Sequence, residues 1–124
     1  MTLDPAKTAK KVEEVIASGA AVGYACKAHI DPANPYSGLS YVASEVVYHA
    51  AGGIKSGLKV MYMHTGEREI HCFLVDAKGA TIDPTAKQYP RKVDYSSAFH
   101  GSFMSTAPSR RAVALADLSF ATAG

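Results

Sequence analysis

The sequence predicts an α+β fold in which a central helix packs against an antiparallel sheet. A run without helix breakers, residues 41–51, follows a loop rich in Pro, Gly and Ser and ends at a pair of glycines, which suits a helix stop. Short segments joined by tight turns pair as an antiparallel meander. Three such segments, apolar and separated by turn residues, follow the helix at positions 58–64, 69–75 and 80–83.

The composition is typical of one globular domain. The chain has 124 residues, of which 48% are hydrophobic and 19% are charged, and this is enough for a single core without cross-links. We therefore expect one domain over residues 1–124. Thirteen basic and eleven acidic residues leave a net charge of +2, which does not favour a nucleic-acid partner. No apolar run reaches membrane-spanning length and no apolar signal core begins the chain, so we expect a cytoplasmic protein with no membrane partner.

Neither cysteine belongs to a recognisable site. Cys26 and Cys72 each lie in an apolar segment and form no Cys-x-x-Cys motif, so we expect both to be reduced, unpaired and mostly buried. His29, His64 and His100 show no spacing typical of metal ligands, and there is no Gly-rich phosphate loop. We accordingly expect neither a metal nor a cofactor.

Helices are expected at both ends of the chain, with less regular segments between them. Asp4 is a suitable N-cap before a proline, and apolar residues at helical spacing then predict a helix over residues 5–18. Residues 20–30 are apolar and predict a strand or a buried extended segment. Residues 86–106 show little periodicity and predict a loop that walls a substrate cleft, and a last helix is expected to open at residues 107–109.

Ser40 lies where the loop becomes the central helix. Backbone N–H groups and the positive end of the helix dipole converge at such a position and stabilise a developing negative charge, so an enzyme can place a nucleophile there. Glu45 and His49 fall on the far side of this helix, so a base for Ser40 has to come from elsewhere in the chain. The simpler interpretation, that Ser40 is only a helix N-cap, is favoured by this stretch alone.

A histidine and an aspartate on the predicted sheet can supply that base. Along the second strand the side chains alternate, so His71 and Phe73 share one face while Cys72 points away. If a three-residue loop ending in a left-handed Gly79 follows, Phe73 faces Asp83, and His71 lies diagonal to Asp83 on the same face. Each residue alone is more often structural. Together they make an imidazole oriented by a carboxylate, which needs only a nucleophile from a helix N-terminus.

These residues resemble the core of the papain-like and transglutaminase-like cysteine enzymes. The resemblance rests on a small-residue loop, a nucleophile that opens a helix, and His-x-Phe-Leu-Val-Asp-x-x-Gly-x-x-Ile-Asp-Pro-Thr on two strands. The segment Asn-Pro-Tyr-Ser-Gly-Leu-Ser-Tyr-Val-Ala-Ser-Glu is also similar to short uncharacterised proteins of bacteria and their phages, which carry Gly-x-Cys-Tyr-Val-Ala-Ser-Glu-Ala there. Pro-Ser-Arg-Arg-Ala, at residues 108–112, resembles their ending, so the resemblance covers roughly residues 31–112.

The resemblance implies a papain-like or transglutaminase-like fold with a catalytic triad. Position 40 would be the nucleophile, His71 the base, Asp83 the residue that orients the imidazole, and Asn34 a donor to the oxyanion. Ser40 departs from the pattern, which has Cys at this position. The serine is an engineered substitution, a natural exchange to a serine nucleophile, or a mark of lost activity. Because a hydroxyl loses its proton less readily than a thiol, we expect a slow or inactive enzyme.

The implied function is that of a cysteine-type acyl hydrolase or acyltransferase acting on a peptide, a protein or a small amide. Peptidase, amidase, isopeptidase and acyltransferase activities use the same machinery, so the substrate is left open. The alternative is a non-catalytic module that keeps the cleft of this fold and binds a protein or peptide. The serine at position 40 adds weight to that alternative.

Overall fold

Three α-helices and a four-stranded antiparallel sheet make up the described part of the chain, in agreement with the predicted α+β class. The computed structural model describes residues 2–24, 34, 36, 38–65, 70–89, 92–103 and 106–120. The helices are α1 (Pro5–Ala17), α2 (Ser40–Ala50) and α3 (Arg110–Phe120). The strands are β1 (Lys59–His64), β2 (Ile70–Val75), β3 (Thr81–Ile82) and β4 (Phe99–Gly101). No helix in these ranges is long and apolar enough to cross a membrane.

The first helix begins as the sequence predicts. The Asp4 carboxylate accepts a hydrogen bond from the Lys7 backbone N–H at 2.9 Å, and Pro5 occupies the first helical position. The segment before α1 is fastened to the end of α2, because the Leu3 N–H donates to the Ala50 carbonyl at 2.8 Å. α1 and α2 are therefore held together at one end by backbone as well as by packing.

The segment after α1 does not begin as a strand. Val22–Tyr24 form a short 3₁₀ turn, in which the Tyr24 N–H donates to the Ala21 carbonyl at 2.9 Å. The prediction of a strand or extended segment is wrong for this part, because a short apolar run has no period that separates a turn from a strand. Residues 25–30, which include Cys26, lie outside the described residues.

The sheet has the strand order β3-β2-β1-β4, and the pair β2–β3 has the predicted register. Leu74 lies opposite Ile82, and the Asp76 N–H donates to the Ala80 carbonyl at 2.9 Å. Gly79 has a φ of +86°, in the left-handed region that glycine adopts without a steric penalty. The three-residue loop between these strands is therefore confirmed.

Residues 86–106 are more regular than the predicted loop. They contain β4, which pairs with β1 so that His100 lies opposite Met61, and two 3₁₀ turns at Ala86–Gln88 and Tyr95–Ser97. A three-residue edge strand is too short to show an alternating pattern. The sequence alone therefore did not separate β4 from a loop.

One apolar cluster joins the helices to one face of the sheet. α2 contacts α1, α3 and β2. From the strands the cluster takes alternate residues, namely Val60, Cys72, Leu74 and Ile82. The opposite face of β2 is buried too, because His71 and Phe73 are each 1% exposed and the Tyr95 ring packs on Phe73 at 4.6 Å. That residues 1–124 form a single domain stays a prediction.

Gly101 allows β4 to approach Tyr62 closely. A Cβ atom at position 101 would lie 2.5 Å from two carbons of the Tyr62 ring, far inside van der Waals contact. The ring is also tethered, because the Tyr62 hydroxyl donates to the Ser102 carbonyl at 2.7 Å. A shift of the ring away from a new methyl group would strain this hydrogen bond.

Gly101→Ala should lower the free energy of unfolding by about 1–3 kcal/mol, because a methyl group forced into a packed site displaces its neighbours. Urea denaturation of the two proteins measures the difference. Gly23→Ala is the matched control, since a Cβ atom there meets no atom of the described residues within 4 Å, and it should change stability by less than about 1 kcal/mol. Equal midpoints for Gly101→Ala and the parent would show that Tyr62 relaxes freely.

Candidate active site

Ser40 opens α2 but does not cap it. The N-cap residue is Leu39, which makes no side-chain cap hydrogen bond, and its carbonyl accepts from the Ala43 N–H at 2.8 Å. Ser40 is therefore the first helical residue and lies in the turn whose N–H groups have no carbonyl of the same helix to bind. The interpretation of Ser40 as an N-cap is wrong, because the helix begins one residue earlier than that role requires.

The Ser40 hydroxyl binds the edge of β2 instead. Ser40 Oγ accepts a hydrogen bond from the Cys72 backbone N–H at 3.2 Å. One turn further along α2, Ser44 Oγ donates to the Cys72 carbonyl at 3.2 Å. The two serines together satisfy both backbone groups of one strand residue, and so they dock the start of α2 against the residue that follows His71.

The reason for this docking is that β3 is too short. In an antiparallel ladder alternate residues direct their backbone groups to the same neighbour, so Cys72 faces the β3 side, as Asp76 does through its bond to Ala80. Continued past Ile82, the register would set Pro84 opposite Cys72. A proline has no N–H to donate to the Cys72 carbonyl. The ladder therefore ends there, and the helix supplies the missing partners.

His71 and Asp83 form the predicted pair. His71 Nε2 lies 2.6 Å from Asp83 Oδ2, and the two side chains are 0% and 3% exposed. A carboxylate only accepts, so Nε2 carries the proton, and Nδ1 is the acceptor in the neutral ring. In the described part of the chain, Nδ1 is buried and has no hydrogen-bond partner. The predicted contact and the shared face are confirmed, and the basic nitrogen of the pair is the one left unbound.

Two further donors hold the carboxylate. The Tyr95 hydroxyl donates to Asp83 Oδ2 at 2.8 Å, and the Thr85 backbone N–H donates to Oδ1 at 3.1 Å. Burial, and then the adjacent Asp83 carboxylate, raise the pKa of Tyr95 above its ordinary value. Sequence reasoning missed both donors. Residues 86–106 contain two tyrosines, but no spacing singles out Tyr95, and Thr85 acts through its backbone.

Two aromatic rings contact the imidazole. The Tyr89 ring meets His71 edge-on at 5.1 Å, and the Phe73 ring stacks beside it at 5.9 Å. Such contacts restrict the rotation of the ring and exclude water. A hydrogen bond in a site of this kind is electrostatically stronger than one in water.

Ser40 contacts the backbone of the residue next to His71. The side chains of Ser40 and His71 are not hydrogen-bonded to each other. Ser40 binds the backbone of residue 72, and His71 Nδ1 has no partner among the described residues. Catalytic hydrogen bonds often shorten only when a substrate is bound. The structure pairs His71 with Asp83 and holds the first residue of α2 against the backbone of the residue that follows His71.

Asn34 lies in a turn ahead of α2. Its Oδ1 accepts a hydrogen bond from the Tyr36 N–H at 3.0 Å, and the Leu39 N–H donates to the Tyr36 carbonyl at 3.2 Å. The turn uses the amide oxygen, so Asn34 can donate to an oxyanion only through its NH₂ group. That role stays a prediction.

Two other polar residues of α2, Glu45 and His49, make their contacts away from Ser40. Glu45 is buried, and its two carboxylate oxygens accept from the N–H and hydroxyl of Ser109, at 2.9 and 2.8 Å. A carboxylate is favourable there because it lies at a helix N-terminus. His49 packs against Phe103 with ring centroids 6.3 Å apart. Neither residue is a base for Ser40.

The histidines outside the pair form no metal centre that the structure records. His64 and His100 are exposed, and His29 lies outside the described residues. Among the residues that are described, no group of three His, Cys, Asp or Glu side chains could hold a metal ion. The expectations of no metal and no cofactor stay predictions.

Cys72 is free and buried, as expected, on the face of β2 that meets the helices. Burial, the largest influence, raises the pKa of its thiol to about 12. A thiol that stays protonated is a poor nucleophile. Cys72 is therefore a core residue that contributes its backbone, and not its sulfur, to the site.

Comparisons with known proteins found no match for this chain. No protein-family model, curated protein or solved structure matches this chain. The similarity to papain-like and transglutaminase-like enzymes stays a prediction.

Raising the pH should destabilise the protein through Cys72. The unfolded thiol ionises near pH of about 8.5, whereas in the folded state burial keeps it protonated to about 12. Above the first value the unfolded state binds fewer protons than the folded state, so the free energy of unfolding falls as pH rises, by at most about 1.4 kcal/mol per pH unit. Below it this group contributes no pH dependence.

Urea denaturation in a Cys26→Ser background, at pH values on both sides of about 8.5, measures this slope. Cys72→Ala in the same background should flatten it, although the variant loses some stability at every pH. A slope that is equal with and without the thiol would show that another group is responsible.

Proposed function

We propose that this chain has a papain-like or transglutaminase-like fold and a Cys/Ser-His-Asp triad for acyl transfer, which Ser40 makes slow or inactive. The observation that carries the proposal is the pair of buried side chains, with His71 Nε2 at 2.6 Å from Asp83 Oδ2 and with no hydrogen-bond partner for Nδ1 among the described residues. A buried structural histidine normally has both ring nitrogens satisfied. In the neutral imidazole the unbound nitrogen is the acceptor, and a general base requires such an acceptor.

The surroundings of position 40 suit a nucleophile. Its side-chain oxygen accepts a hydrogen bond from the Cys72 N–H, so its own proton can go to a base. The same N–H and the N-terminus of α2 stabilise a negative charge on that atom. For a thiol these two influences lower the pKa toward neutrality. For the hydroxyl of Ser40 they are insufficient without proton removal during the attack.

The proposed reaction has two acyl-transfer steps. His71 Nδ1 takes the proton from the side chain of residue 40 while that side chain's terminal atom bonds to the acyl carbon. The resulting oxyanion binds the backbone N–H of residue 40 and the Asn34 amide. The carbon–nitrogen bond breaks as His71 returns the proton to the leaving amine. Water or an acceptor amine then attacks the acyl intermediate with His71 as base, while Asp83 holds the ring.

The proposed substrates are peptides, proteins or small amides. All three present the carbonyl that this machinery attacks, and they differ only in the parts that the cleft would recognise. Hydrolysis and acyl transfer differ in whether water or an amine reaches the intermediate. The residues named above are common to both outcomes.

The second candidate is a non-catalytic protein- or peptide-binding module. The bonds that Ser40 and Ser44 make to Cys72 favour it, because they give the serine a structural role that needs no chemistry. In that case His71 and Asp83 would be a buried polar pair retained from the fold. The two candidates differ in what a thiol at position 40 would do.

Ser40→Cys should produce a thiol that iodoacetamide alkylates well below about pH 8.5, where an ordinary thiol ionises. The reason is that the helix terminus and the His71 imidazole both stabilise the thiolate. Alkylation over a pH series, followed by peptide mass spectrometry, separates residue 40 from the other cysteines. His71→Ala in this background should weaken the labelling, and in an assay with a substrate it should cost about a million-fold in turnover.

Ser44→Cys is the matched control. It lies on the same helix and binds the same backbone residue, but it is one turn away from the helix terminus. Its alkylation should show no low-pH component and no dependence on His71. If the thiol at position 40 behaves in the same way, there is no catalytic pair and the binding module is the better description.

A further inference from the structure

Tyr95 and His71 bind the same oxygen of Asp83. The Tyr95 hydroxyl lies 2.8 Å and His71 Nε2 lies 2.6 Å from Oδ2. The other oxygen accepts from the Thr85 N–H at 3.1 Å. Thr85 and His71 already hold one carboxylate oxygen each, so the orientation of the group does not require a third donor.

Ring packing and a capped turn hold the Tyr95 phenol next to Asp83. The Tyr95 ring packs on Phe73 at 4.6 Å. The turn that carries it, Tyr95–Ser97, is capped by the Asp94 carboxylate, which accepts from the Ser96 N–H at 3.0 Å. The raised pKa of Tyr95 means that the hydroxyl keeps its proton across the range in which a thiol or an imidazole titrates. The phenol is thus a permanent donor to Oδ2.

We propose that Tyr95 is a positioning residue that acts through Asp83 and limits how strongly the carboxylate attracts the imidazole proton. This inference rests on the proposed triad. Each hydrogen bond donated to a carboxylate stabilises its charge and lowers its affinity for a proton. Because Oδ2 accepts from both Tyr95 and His71, it attracts the His71 proton less strongly than it would without the Tyr95 hydroxyl. Without the hydroxyl, the carboxylate attracts the imidazolium more strongly. The stabilised imidazolium in turn stabilises a thiolate at position 40.

Tyr95→Phe in the Ser40→Cys background tests the inference. Phe keeps the ring packing on Phe73 and removes only the hydroxyl. The pH of half-maximal alkylation at residue 40 should move down by about 0.5, a threefold change in the ionisation equilibrium. Loss of orientation or loosening of the fold would move it up, toward the value of a free thiol, so the sign separates this role from a merely structural one.

Tyr62→Phe is the matched control, because it removes a phenol hydroxyl that donates to the Ser102 carbonyl and has no bond to Asp83. It should leave the alkylation midpoint where it is. If Tyr95→Phe does not fold, 3-fluorotyrosine at position 95 gives the opposite test. Its hydroxyl is a stronger donor, so the midpoint should move to higher pH.

The two proposals fail in different ways. If the thiol of Ser40→Cys titrates like a free one while Tyr95 is intact, the proposed triad is wrong, and this inference falls with it. If that thiol titrates low but Tyr95→Phe leaves the midpoint unchanged or raises it, only the role of Tyr95 is wrong. A fluorotyrosine midpoint that is unchanged or lower would have the same meaning.

Discussion

The two hydrogen bonds between α2 and the backbone of Cys72 are the constraint on which the rest of the site depends. Pro84 ends the β2–β3 ladder early, and a buried N–H and carbonyl left without partners would cost about 1–3 kcal/mol each. Ser40 and Ser44 satisfy them from the side of the helix. Because residue 72 follows His71, the same two bonds also fix the start of α2 next to the backbone of that part of β2.

β2 separates two environments that support different parts of the site. On the helix side, Cys72 and Leu74 join the apolar cluster and hold α2 against the sheet. On the other side, Phe73 and Tyr89 pack against His71, and the Tyr95 hydroxyl binds Asp83. A buried polar group is stable only where hydrogen bonds replace its lost contacts with water. Asp83 has three donors, one from a neighbouring residue and two from distant parts of the chain.

The serine at position 40 suits the resting fold better than it suits the proposed chemistry. Its oxygen is a good acceptor for the Cys72 N–H in the resting protein. A neutral thiol at the same place would accept that bond weakly, whereas a thiolate would accept it strongly. Serine therefore favours the folded resting state, and cysteine would favour the charged nucleophile. This is the kind of exchange between stability and activity that active-site positions commonly show, and it makes one substitution sufficient to distinguish the two candidate functions.

Local patterns were enough to predict the α+β class, the start of α1 and the pair His71–Asp83. A cap residue before proline, the period of two along β2 and a left-handed Gly79 each act over a few residues, and together they set the register that puts Asp83 on the face of His71. The bond from Ser40 to Cys72 and the bond from Tyr95 to Asp83 were decided only by the tertiary structure. They join residues 32 and 12 positions apart. No sequence pattern shows which distant group a hydroxyl binds, since a serine suits a cap, a sheet edge and a nucleophile.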